Sequence, residues 1–383
     1  MELELIDEGR FERTMRDMVL PALEHCKREG WMRSHAPGGV SEGMGHGAAS
    51  AGLEPSASVA PTASGFGAAV SPSDPNRLHY VCYEASAFDD LNLPGSQGRH
   101  RGVVIISHGF TEFAGKYDEL AWYFLLAGYT VCIVEHWGHG LSGRGVDDPS
   151  LVWVDSYRRY VEDLATFCEE MATDYGGDQP ICLYAHSMGG GIAASLLERH
   201  PTLIDRVVLS SPMIAPRTGL ALGLAGALMH VACATGQGRR MVPGHHRFNP
   251  VFDPAFVGNA SQARLRWIHG LRAADPAYQT SAASYRWVGQ AIALSRELLR
   301  PALCERVEAS ALVFQAEPDT FVLPRPQNRF VDQVRTGGGA MSLVRVPQAC
   351  HELYTMPNGT LGPYLARILD FFAAPTPLVG GGE

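Results

Sequence analysis

The stretch Ile181-Cys182-Leu183-Tyr184-Ala185-His186-Ser187-Met188-Gly189-Gly190-Gly191 decides how the rest of the chain is read. A short apolar run ends in a turn, and the turn opens onto a run of small residues that starts a helix. This is the strand–turn–helix context that places a serine at the tip of a sharp elbow. A serine there has a strained backbone and a presented Oγ, and the residues two places to either side must be small to avoid collision. Ala185 and Gly189 meet that demand. The usual pattern carries Gly rather than Ala at the first position, but a methyl group still fits. Ser187 is therefore the candidate nucleophile, set against the plainer reading of a Gly-rich strand-to-helix turn. Its neighbour His186 must point elsewhere and reads as a packing and hydrogen-bonding residue.

Working outward, strand-like and helix-like stretches alternate on both sides of the elbow. Strands are expected over 77–85, 102–107, 129–135, 180–185, 205–210, 310–316 and 341–346. Helices are expected over 117–127, 155–175, 189–199, 327–334 and 359–373. Short Val-, Ile- and Leu-rich runs separated by helices imply a mostly parallel central sheet with helices on both faces, an α/β architecture. Residues 212–300 break the alternation, with helical stretches and no clear strand, and read as an α-helical lid inserted between two strands. Within it Gly219–Ala234 is apolar but short for a bilayer span, which needs about 20 residues. Such a stretch suits a helix packed on the core or lining an acyl pocket. Upstream, 11–33 has helical spacing of Met15, Met18, Val19, Ala22, Leu23 and Cys26, with Pro21 disturbing its middle. Residues 35–76 are rich in Gly, Ala, Ser and Pro and read as a flexible linker or insertion. The organisation expected is an N-terminal helix in 1–34, that linker, a core in 77–211 and 301–376 split by the 212–300 lid, and a tail from 377 to 383.

Composition narrows the class. The chain has 383 residues, 46% hydrophobic and 19% charged, with a formal net charge of −9. That balance disfavours a nucleic-acid binder, which needs a basic face, and electrostatic docking to anionic lipid as the main anchor. A mean hydropathy of −0.05 disfavours a polytopic membrane protein. The 8 cysteines show no CxxC spacing and several lie in apolar runs, so they read as reduced core thiols. An acidic start without an apolar stretch predicts no secretory signal. Together these predict a cytoplasmic protein, peripheral at most to the inner face of the membrane.

Four stretches carry a family resemblance. They are Ser107-His108-Gly109-Phe110, Glu135-His136-Trp137-Gly138-His139-Gly140-Leu141-Ser142-Gly143, Ala185–Gly190, and Gln348-Ala349-Cys350-His351-Glu352. With them the chain resembles α/β-hydrolases of the monoacylglycerol lipase and lysophospholipase L2 type, in the serine aminopeptidase-like branch, over about residues 77–373. The segment Ser284–Val288 looks most like the lysophospholipase L2 side. The resemblance implies the α/β-hydrolase fold and a triad in the chain order serine, acid, histidine. Asp319 matches the family's acid position, with Glu317 as local rival. His351 follows the last core strand and would be the general base. The residue after the nucleophile, Met188, supplies one oxyanion amide. The turn His108-Gly109 makes Phe110 the second donor. A lipid or other ester substrate is implied, with no metal and no organic cofactor; transient contact of the lid with membrane lipid is one of the competing readings of the apolar Gly219–Ala234 stretch. A short-chain carboxylesterase or peptidase is the alternative within the fold, and a non-catalytic binding protein the alternative outside it. His136-x-x-His139 has metal-like spacing but no third ligand, and His245-His246 reads as a solvated loop.

Overall fold

The computed structural model describes residues 3–35, 70–71 and 73–374. The linker reading of 35–76 and the tail reading of 377–383 therefore fall almost wholly outside the described residues. Ten strands are described: β1 Lys27–Arg33, β2 Arg77–Tyr83, β3 Val103–Ser107, β4 Thr130–Val134, β5 Leu151–Val152, β6 Ile181–His186, β7 Arg206–Ser210, β8 Ala282–Ala283, β9 Ser310–Glu317 and β10 Met341–Pro347. Eight form the central sheet in the order β1-β2-β4-β3-β6-β7-β9-β10. β1 and β2 pair antiparallel, as do β2 and β4. Every pair from β4 to β10 is parallel.

The period of two sorts each strand's side chains between two layers. Val103, Ile105, Leu183 and Ala185 join one buried cluster, while Val104, Ile106, Cys182 and Tyr184 join the other. The first layer is covered by α2 Tyr157–Tyr175, α3 Ser187–Arg199 and α7 Pro324–Thr336, and the second by α1 Asp118–Leu126 and α8 Asn358–Ala373. Strands covered on both faces must be apolar throughout, and β3, β4 and β7 are buried along their whole length.

Two expectations need correction. The helix predicted over 11–33 stops at Cys26, after a π-turn at Met15–Val19, and Lys27–Arg33 is an edge strand. Its charged, half-exposed side chains suit an edge and hide the strand from a search for apolar runs. Gly30 makes room there for the Tyr80 side chain of the paired strand, since a Cβ would fall 2.3 Å from its hydroxyl and the ring would have to shift. The second correction lies in the insertion between β7 and β9. It carries α4 Leu222–Ala234, α5 Gln262–Ala274 and α6 Tyr285–Leu298, but also the two-residue strand β8, which pairs parallel with β5.

The insertion is fastened by two arginines, the half-buried Arg144 and the buried Arg264. Arg144 donates to the Gly138 and Gly140 carbonyls of the core and to the Ala277 carbonyl and Thr280 hydroxyl of the insertion. Arg264 on α5 makes a two-pronged pair with Glu119 on α1, at 2.8 Å for each nitrogen, and also bonds the Met356 carbonyl and the Asn358 side chain. No helix among the described residues is long and apolar enough to cross a membrane.

Candidate active site

β3, β6, β9 and β10 all end on the same edge of the sheet. Next to β3 the connections leave in opposite directions, which opens a crevice at the carboxyl ends of the strands. Ser187 sits there between β6 and α3, with φ of +51°, the left-handed region that a non-glycine residue occupies only under local constraint. The turn is as tight as its sequence demands. A methyl group on Gly189 would fall 2.2 Å from the Ser107 carbonyl oxygen, and one on Gly191 would fall 2.6 Å from that of Met213. The Met213 amide donates to the Ser187 carbonyl at 2.8 Å, so the first residues of the insertion brace the elbow from behind.

Ser187, His351 and Asp319 come together from far apart in the chain. His351 Nε2 lies 2.8 Å from Ser187 Oγ, and His351 Nδ1 lies 2.7 Å from Asp319 Oδ2. All three residues are buried. The ionised carboxylate can only accept, so Nδ1 carries the proton and Nε2 offers its lone pair to the serine hydroxyl. The Phe321 and Val322 amides donate to the other Asp319 oxygen at 2.8 and 3.0 Å. Burial works to raise the Asp319 pKa. The His351 bond and the two amides outweigh it and hold the carboxyl below its usual range. Glu317, the rival acid, instead meets Arg345 at 3.4 Å near the surface. Arg217, where the insertion leaves the core, secures the acid loop. Its guanidinium donates to the Asp319 carbonyl at 3.1 Å and its amide to the Phe321 carbonyl at 2.8 Å.

Phe110 and Met188 lie in adjacent loops, since Ser107 of β3 pairs with Ala185 of β6. Met188 is in the first turn of α3, where unpaired amides and the helix dipole favour an anion. His108 Nδ1–H donates to the Gly109 carbonyl at 2.8 Å, and its Nε2 accepts the His136 amide at 2.9 Å, so it locks the turn as a neutral ring. Burial lowers its pKa, which agrees with that state. His186 points away from Ser187 and donates to the Ser210 carbonyl at 3.1 Å; burial lowers its pKa to about 4.

The sequence reading missed a second buried cluster behind the triad. Glu112 accepts the Gly109 amide, the Tyr117 and Tyr354 hydroxyls and the Lys116 ammonium. It therefore shapes the residue immediately before Phe110. Burial opposes its charge, but Lys116 and the hydroxyls more than offset this, and its pKa is depressed. Glu112, His186 and Glu352 could in principle hold a cation. The Lys116 ammonium already bonds both carboxylates, at 2.7 and 2.8 Å, and supplies that positive charge. Of the other histidines noted, His136 Nε2 meets Ser107 Oγ at 2.9 Å and His245 Nδ1 accepts the Ala283 amide at 3.2 Å. His139 is buried against His108 and Phe110.

Residues 98–357 match the family model described as serine aminopeptidase, S33. The chain belongs to this family. Lysophospholipase L2 of Escherichia coli is 31% identical over 280 residues, which cover 71% of this chain and 81% of that one. Among solved structures, the monoglyceride lipase of Saccharomyces cerevisiae in complex with a substrate analog superposes with a TM-score of 0.59 at 17% identity, over 77% of this chain and 91% of that one. A thermostable carboxyl esterase of Bacillus coagulans in complex with glycerol gives 0.61 at 16% identity, over 77% and 93%. At these identities the structures speak for the fold alone. The serine aminopeptidase-family chain described here is thus an α/β-hydrolase of the lysophospholipase and monoacylglycerol lipase type.

Proposed function

We propose that this hydrolase cleaves carboxylic esters of lipids that carry one acyl chain, a lysophospholipid or a monoacylglycerol, through an acyl-enzyme on Ser187. The observation that carries the reading is the continuous hydrogen-bonded series from Ser187 Oγ through His351 to Asp319. In the first step Oγ attacks the ester carbonyl while its proton passes to His351 Nε2. The developing oxyanion is held by the Phe110 and Met188 amides, a contribution of about 2.7–4 kcal/mol for each donor. The tetrahedral adduct collapses, the proton moves from Nε2 to the leaving alkoxide, and the alcohol departs. Water then enters, gives a proton to Nε2 and attacks the acyl carbon, and the collapse returns that proton to Ser187 and frees the fatty acid. Asp319 keeps the ring in the required tautomer and stabilises the imidazolium.

The insertion serves as the lid in this reading, and α4 as its lipid-facing part. Leu220, Leu224, Leu228 and Val231 are exposed along it. The net charge of the chain speaks against docking to anionic lipid, but the charge is unevenly distributed. No acidic residue lies between Asp205 and Asp253, while Arg217, Arg239, Arg240 and Arg247 do.

A fluorophosphonate probe tests the reading. Wild-type protein takes up one label, and Ser187→Ala takes up none and loses about 10⁶ in kcat. Hydrolysis of lysophosphatidylcholine or monoacylglycerol then identifies the head group. Wild-type protein that resists the probe and hydrolyses none of these esters overturns the proposal.

A further inference from the structure

Trp287 stands in the first turn of α6, behind the capping hydroxyl of Ser284, which accepts its amide at 3.1 Å. Its indole lies against the Phe110 ring, with centroids 4.1 Å apart. Behind that contact is a cavity of about 10 Å³ walled by Tyr160, Met188, Ile192, Met213, Trp287 and Leu294 among others. It has room for about one water molecule. Of the two residues proposed to hold the oxyanion, Met188 is in its wall, and Phe110 packs against the indole that closes it. Met188 follows Ser187 in the chain and the Met213 amide bonds the Ser187 carbonyl, so two wall residues adjoin the nucleophile.

We infer that Trp287 selects the acyl chain: its indole closes an apolar compartment next to the nucleophile, and a long acyl chain binds only when the indole yields. The inference rests on the proposal that Ser187 forms an acyl-enzyme. The compartment suits the acyl side of the ester rather than a charged head group, because its walls are mostly apolar and carry no charged side chain, with Tyr157, Tyr160 and Gln290 among its polar members. The two thioethers, Met188 and Met213, are deformable and can follow a chain as it enters. The indole is the rigid wall. The backbone of Trp287 is pinned, since the neighbouring Tyr285 and Arg286 amides donate to the Arg240 and Gly238 carbonyls at 3.0 Å. Opening is therefore a side-chain rotation that breaks the contact with Phe110.

The test is the chain-length profile of kcat/KM on p-nitrophenyl esters from acetate to laurate, read as the laurate-to-acetate ratio. Trp287→Ala, and to a smaller degree Trp287→Phe, is expected to raise the ratio by at least about tenfold, since each methylene accommodated changes kcat/KM about tenfold or more. Ala291→Phe, which fills the compartment from its α6 side, is expected to lower the ratio by a similar factor. This second variant carries the test if Trp287→Ala fails to fold. Variants that still take the fluorophosphonate label on Ser187 but keep the ratio within about twofold of wild type overturn the inference and leave the acyl-enzyme reading intact. A wild-type chain that takes no label and hydrolyses none of the esters removes both.

Discussion

The two outer helices of the insertion are attached in opposite ways. α5 is locked by polar contacts: Arg264 grips Glu119, and the Ser261 amide just before the helix donates to the Thr355 carbonyl at 2.8 Å. α4 has no charged residue and rests on α6, where Gly226 lies against the Arg296 guanidinium, with Ala225 its one buried residue. Leu224, Leu228 and Val231 are 55, 47 and 58% exposed. A buried charged pair fixes geometry because either partner left alone is costly. An apolar contact on one face resists sliding or lifting much less. The insertion thus combines a half tied to the core by a charged pair and a half packed on α6, and the second presents the apolar surface.

The largest effect expected is on the half tied by the charged pair. Arg264→Ala leaves Glu119 buried without its partner and should cost about 3–5 kcal/mol in denaturant unfolding. A loss under about 1 kcal/mol would mean that the two helices are held alike. The second effect concerns α6, on which α4 rests. Glu198 is fully buried close to that helix, and burial, reinforced by the charge of Glu297, raises its pKa to about 9. The unfolded chain ionises this group near about pH 4.3. Folding stability is therefore lost as pH rises from there toward the folded value. Glu198→Gln should stabilise the fold by about 1–3 kcal/mol at pH 8, with the gain vanishing near pH 4. A gain that does not depend on pH would refute this account. The smallest effect on stability belongs to the exposed face of α4. Leu224→Ser with Leu228→Ser should change unfolding free energy by no more than about 0.5 kcal/mol. Hydrolysis of ester substrate in vesicles should nonetheless fall about tenfold, against no change with a monomeric soluble ester, as expected if about 1.4 kcal/mol of apolar contact with lipid is lost. Equal losses on both substrates would show that α4 does not meet lipid.

The parallel sheet and the elbow were legible because sterics write them into composition. A strand covered on both faces has to be apolar, and an elbow has to carry Ala185 and Gly189 around its serine. The acid was readable to within two residues, and the pairing of Asp319 rather than Glu317 with His351 follows from which carboxylate the Phe321 and Val322 amides cradle. β1 was hidden by its charged, edge-facing side chains. The Glu112 cluster was hidden because it forms only when the loop after β3 meets Tyr354, 242 residues away. α4, apolar on every side, has no periodic stripe to show which face it buries.

Arg217 has a practical consequence for anyone recombining these enzymes. The insertion begins with residues that prop the elbow through Met213 and the Asp319 loop through Arg217. A chimera spliced at the end of β7 would import a foreign brace along with a foreign insertion and disturb the contacts among Ser187, His351 and Asp319. A graft joined downstream of Arg217 would exchange most of the insertion while leaving the recipient's own supports behind Ser187 and Asp319.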